Sequence, residues 1–255
     1  MTRIRLSALN LFAILLSAAI FIACSKEENT TSSSVDKIQN SKIETNSQTA
    51  RLFENIDPVQ VGILHNKYLT QAVQIKELNP NLSFKEAYMQ VKIDNVTPTF
   101  QSAIFDKVNE TSSDEMKSVV ISKLSSQKAV DFYNSVEMAV DNSADYQTLN
   151  SNLNVIKNNV IKNLSGNDLD YVLVQLETIR ASAYFWTPKE LGGSGSGNNY
   201  MQNNSMKADS TIKKDGRGAG YGMVCWSFSA FLGPVGAAGL IYGAVSGALV
   251  SSFLP

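Results

Sequence analysis

The chain has 255 residues, 44% of them hydrophobic and 18% charged, and 22 basic against 23 acidic residues leave a net charge of -1. That length can bury a real core in one or two domains, while the balanced charge excludes the clustered basic surface that nucleic acid requires. With one histidine and two cysteines, a Cys/His zinc site is excluded, and histidine-based catalysis would depend wholly on His65. No metal or cofactor is expected.

Arg3 and Arg5 precede an uncharged, mostly apolar run from Leu6 to Ile22 that ends in Ala23-Cys24. This is the order of a secretory signal, and the run falls short of the roughly twenty residues that a spanning helix needs. Phe21-Ile22-Ala23-Cys24 resembles a lipobox, the recognition site of bacterial lipoprotein signal peptidase, with Phe21 where leucine is usual. Ser25, Lys26, Glu27 and Glu28 are similar to the acidic export signal that follows the lipidated cysteine in Gram-negative bacteria with many surface lipoproteins. The resemblance implies a signal peptide over 1–23 and Cys24 as the mature N-terminus carrying three acyl chains, enough for stable attachment to the outer membrane, since two chains already suffice. It also makes the protein a candidate for surface exposure. Cys225 is then left without a partner in the chain, so no internal disulfide is expected.

Residues 24–56 are rich in Ser, Thr and Asn and nearly free of large apolar side chains. Such a stretch cannot offset its ordering entropy by burial, so a tether is expected, with a mean reach of about 30 Å.

From 57 to 186 apolar residues recur at helical spacing. Val61, Leu64, Tyr68, Ala72 and Ile75 share a face, as do Phe100, Ile104 and Val108. Leu149, Leu153, Ile156, Val160 and Leu164 form one stripe, and Leu169, Val172, Leu173, Leu176, Ile179 and Ala183 form the next. Asp57-Pro58 and Thr97-Pro98 place a capping side chain before a proline at the first helical position, and Ser83 with Glu86 makes a capping box. Gly166 is the expected C-terminal cap between the last two stripes, with Asn167 capping the helix that follows. Roughly seven helices and no strand are expected, an all-α multi-helix bundle.

Of the 15 glycines, only Gly62 and Gly166 precede position 192. Residues 187–205, with Leu-Gly-Gly-Ser-Gly-Ser-Gly, are read as a flexible linker, and 206–255 as a separate glycine-rich two-helix hairpin broken at Gly233-Pro234. Gly239, Gly243 and Gly247 stand four apart, and Gly218 and Gly222 repeat that step, so each set shares a helical face on which backbones can meet. Val245 lies on another side. The tail resembles the glycine-zipper hairpins of membrane-active bacterial proteins and bacteriocin-like peptides. Gly236, Gly239, Gly243 and Gly247 cost the second helix about 4 kcal/mol against alanine, at about 1 kcal/mol each, so it needs lipid or a close partner helix.

No catalytic constellation emerges. His65 reads as a rim or core residue. Ser34 with Lys37 and Ser125 with Lys128 fit a serine-lysine spacing without its companion motifs. Gly216, Gly218, Gly220 and Gly222 follow no strand, as a dinucleotide loop would. Asp114, Glu115, Asp168 and Asp170 lie near helix starts, where they complement the dipole. The expected function is that of a lipid-anchored cell-envelope protein with a non-enzymatic interaction or membrane-associated role, bound to the membrane through Cys24, with the helical domain as a protein-binding module and the hairpin as its membrane-contacting or self-associating part. The alternative is a pore-forming, bacteriocin-like protein acting through the hairpin.

Overall fold

The computed structural model describes residues 57–94, 96–228 and 237–253, the side chains of 226–228 and 237–238 excepted. Ten α-helices occur among them and no strand: α1 (Pro58–Leu78), α2 (Phe84–Gln90), α3 (Pro98–Asn109), α4 (Ser113–Ile121), α5 (Gln127–Asp141), α6 (Tyr146–Asn163), α7 (Gly166–Trp186), α8 (Asn198–Asn203), α9 (Ala208–Phe228) and α10 (Ala237–Ser251). The fold is an all-α multi-helix bundle.

Local chemistry starts most of these helices. Asp57 accepts from Val59 N–H with Pro58 at the first position, and Thr97 accepts from Phe100 N–H ahead of Pro98. Ser83 and Glu86 complete the capping box. Ser112, Ser126 and Asp145 each accept a backbone N–H three residues on. Gly166 departs from the expectation. α6 closes at Leu164, Ser165 is the N-cap, and Gly166 opens α7 itself with φ +56°, while Asn167 lies inside the helix rather than capping it.

α7 is the central helix, packed against α1, α5, α6 and α9. It is buried around most of its circumference, so Gln175, Thr178 and Ser182 are fully enclosed along with Val172, Leu176 and Ile179. The expected division into a helical domain over 57–186 and a separate hairpin over 206–255 gives way to a single core. Tyr68, Leu176, Met223 and Leu249 are all fully buried in one continuous cluster. α9 lies against α10, α7 and α4, and α10 also covers α1 and α3.

The expected linker over 187–205 is folded as well. A 3-10 turn at Lys189–Leu191 and the short α8 occupy it. The chain doubles back on the end of α7 through Ser194 N–H to Tyr184 O (2.7 Å), Gly195 N–H to Thr187 O (3.0 Å) and Gly197 N–H to Phe185 O (3.0 Å). Here glycine permits close approach rather than flexibility, because a Cβ on Gly193 would lie 2.1 Å from Thr187 O and one on Gly197 would lie 2.3 Å from the Trp186 ring.

The α9–α10 crossing depends on the same property. A Cβ on Gly222 would stand 2.0 Å from Gly243 O, one on Gly247 would stand 2.1 Å from Gly218 O, and one on Gly218 would meet Ser251 Oγ at 2.0 Å. Gly239 is buried further along α10. Val245 is not on an open side, since it is fully buried too; α10 has core neighbours on more than the α9 face. The Gly233-Pro234 break lies outside the described residues.

Gly222→Ala should therefore lose about 1–3 kcal/mol or more in a urea titration, because the methyl meets fixed backbone, despite a gain of about 1 kcal/mol in helix propensity. Gly220→Ala meets the Val120 methyls at 3.0 and 3.2 Å, which can give way, and should be close to neutral. Equal losses at both positions would contradict the crossing.

Candidate functional site: a sealed polar cluster behind the hairpin

In the run Lys213-Lys214-Asp215-Gly216-Arg217-Gly218, charged residues alternate with glycine near the middle of α9. The glycines let α9 approach its neighbours; a Cβ on Gly216 would come within 2.6 Å of Ile179 on α7. Asp215 is thereby carried into the core, where its exposure is 0%.

Three other segments converge on its carboxylate. Ser182 Oγ of α7 donates to Oδ2 at 2.6 Å, and Trp186 Nε1, one turn on, reaches the same oxygen at 3.3 Å. Ser252, just past α10, donates to Oδ1 at 2.7 Å. His65 of α1 is also fully buried, with Nε2 3.5 Å from Oδ2 and without a hydrogen-bond partner. Its Nδ1 pairs with Asn66 Oδ1 at 3.1 Å, and Asn66 Nδ2 is fixed by donation to Ala181 O at 2.8 Å. Burial pushes the Asp215 carboxyl up to about 7, against the pull of its hydrogen bonds and of the Lys214 charge. Burial pushes the His65 imidazole down to about 4, with the Asn66 contact opposing.

Serine, histidine and aspartate are present, but not in a nucleophilic arrangement. The serine hydroxyls donate to the carboxylate rather than to the imidazole, so nothing activates either oxygen. The cluster holds four segments together. Sequence reasoning missed Asp215, Ser182, Trp186 and Ser252. The available signal was a lone acid within a glycine-rich helix, and Ser182-x-x-x-Trp186 placing two donors on one face.

Two positions along α9 a part-buried cation meets a buried acid. Arg217 donates from Nε to Glu137 Oε1 (2.7 Å) and from Nη2 to Oε2 (2.9 Å), and Lys117 adds a bond at 2.8 Å. Burial opposes ionisation of Glu137, but the bonds from Arg217 and Lys117 outweigh it and hold the carboxyl below its ordinary value. Arg217 also reaches Asp114, which with Glu115 occupies the first turn of α4.

The remaining candidates fall into place separately. Ser125 donates to Asp168 from both N–H and Oγ (2.7 and 2.9 Å), whereas Lys128 bonds Asn163. Asp168 thus clamps the start of α5 rather than merely meeting a dipole. Asp170, half-buried, has its carboxyl pushed up to about 7 by burial. Gly216, Gly218, Gly220 and Gly222 lie within α9, not in a loop. Cys225 is buried, and burial pushes its thiol up. A cleft of about 230 Å³ opens between the α3–α4 turn, Lys214 and Ser251, and a second groove is lined by Lys207, Lys213, Asp209 and Asp114. Among the described residues, no group of three or more His, Cys, Asp or Glu is placed to hold a metal ion, and no helix is long and apolar enough to cross a membrane. Cys24 and the Ser25, Lys26, Glu27, Glu28 run lie outside the described residues, as do Ser34 and Lys37.

Arg217→Met leaves Glu137 buried with Lys117 alone and should cost about 3 kcal/mol at pH 7 by chemical denaturation, whereas Asp114→Ala removes a solvent-exposed partner and should change little. The lowered Glu137 carboxyl contributes stability above its unfolded value near 4.3, lost as pH falls through the folded value. The gap between wild type and Arg217→Met should therefore narrow below about pH 4, and a gap that widens in acid would refute the assignment. Comparison of the chain with protein-family models, curated proteins and solved structures gave no match.

Proposed function

We propose that the protein is a lipid-anchored component of the Gram-negative cell envelope, attached through Cys24 and acting by binding rather than by catalysis. In this reading the chain from 24 to 56 tethers the bundle to the outer membrane. The glycine-rich hairpin is a structural part of the bundle. The anchor rests on Phe21-Ile22-Ala23-Cys24 and the run that follows it, and the observation that carries this role for the hairpin is the inclusion of α9 and α10 in the common core, fastened at Asp215 to α1, α7 and the turn after α10. A hairpin held in this way is spoken for by its own chain. The enclosure of His65, the chain's one histidine, supports a non-enzymatic role, since no substrate can reach the imidazole. The second reading, a pore-forming protein, draws on the uncharged sequence of α10 from Ala237 to Ser251, but insertion would require that buried attachment to be broken.

Expression in a Gram-negative host with radioactive palmitate should label the wild type and leave Cys24→Ser unlabelled; equal labelling would end the lipoprotein reading. The purified lipidated protein should leave dye inside liposomes at neutral pH. Emptying of the vesicles would establish the pore-forming alternative instead.

A further inference from the structure

His65 and Asp215 are both fully enclosed, and their facing atoms are 3.5 Å apart. The groups around Asp215 are His65 from α1, Ser182 and Trp186 from α7, Ser252 from the turn after α10, and Lys214 on α9 itself. Of these only His65 and Lys214 titrate. Lys214 keeps its ammonium at the half-exposed rim, lining the surface cleft. Charged groups on the packed helices are paired among themselves, Arg217 of α9 with Glu137 of α5 and Glu177 of α7 with Lys157 and Arg180. A site closed to solvent accepts a neutral pair far more readily than a lone ion or two ions. One proton satisfies it when carried on the carboxyl, with His65 Nε2 left as the available acceptor.

We propose that His65 and Asp215 form a one-proton latch, which keeps the attachment of the hairpin insensitive to pH across the mildly acidic range because each group cancels the pH dependence of the other. The unfolded chain takes up one proton as the pH falls, on the freed histidine near 6.5. Burial raises the folded Asp215 carboxyl toward that range, so in this scheme the folded chain takes up its proton there too. Equal uptake in the two states leaves stability unchanged. Separated, the two groups pull in opposite directions. Asp215 alone has a raised folded value, so its contribution is present in acid and is lost as pH rises. His65 alone has a lowered folded value, so its contribution is present at neutral pH and is lost as pH falls.

The test uses the full lipidated chain in detergent without a histidine tag, unfolded by urea between pH 4 and 7, with the double variant His65→Asn/Asp215→Asn as the baseline for all other groups. Relative to that baseline the wild type should be flat. The unfolding constant of His65→Asn should rise about tenfold per pH unit from 4 toward 7, and that of Asp215→Asn about tenfold per unit as pH falls from 6.5 toward 4. A single variant running parallel to the baseline overturns the latch. Should a variant fail to fold, the wild type decides the matter, because His65 is the only histidine and its ring carbon resonances are unambiguous. They should show a neutral imidazole from pH 7 to below 5, and titration near 6.5 would overturn the proposal.

Discussion

A carboxyl group removed from water has to be met by polar partners from the chain itself, and Asp215 draws them from segments that lie far apart in sequence. Ser182 and Trp186 come from α7, Ser252 from beyond α10, and His65 faces it from α1. Leaving such a group uncompensated costs several kcal/mol, whereas exposed pairs such as Lys67–Asp94 and Lys85–Asp106 contribute little. The position of α9 within the bundle is consequently fixed by a polar requirement as well as by apolar burial.

The glycine crossing and the polar cluster are linked. Gly218 allows α9 to touch α10 at Gly247 and Ser251, and the next residue, Ser252, is the one that bonds Asp215. A wider crossing would withdraw that hydroxyl. Gly216 performs the corresponding service on the other side, bringing α9 against Ile179 and Gln175 of α7. Five polar residues, His65, Ser182, Trp186, Asp215 and Ser252, can then be buried where the backbone, stripped of side chains, leaves room for them.

The same enclosure separates chemistry from architecture in this protein. Histidine, aspartate and serine come together in the core, but without a path from solvent their hydrogen bonds serve to hold helices in register. The surface offers a different feature, the cleft beside Lys214 at the α3–α4 turn. In the groove lined by Lys207, Lys213 and Arg217, two of the basic side chains are engaged already, Lys213 with Asp141 and Arg217 with Glu137 and Asp114.

Much of the secondary structure was legible in the sequence because its causes are local. Asp57, Ser83 and Thr97 cap helices through atoms two or three residues away, and the stripes Leu149 to Leu164 and Leu169 to Ala183 face the core because the helical period places them there. The four-residue glycine spacing likewise marked a face on which backbones can meet, as Gly222 does with Gly243. Composition could not distinguish a flexible Gly/Ser stretch from one packed against Phe185 and Trp186, since missing side chains serve both purposes equally. Nor could periodicity tell that Val245 or Gln175 would be enclosed, because burial on a helix's second face depends on which neighbour arrives there. Local chemistry in the sequence settles where most of the helices begin, which faces are apolar and where chains can touch. That residues 65, 182, 215 and 252 share one fully buried site was settled by the tertiary structure alone, because that outcome depends on contacts between distant segments whose free energy appears only when all four are in place.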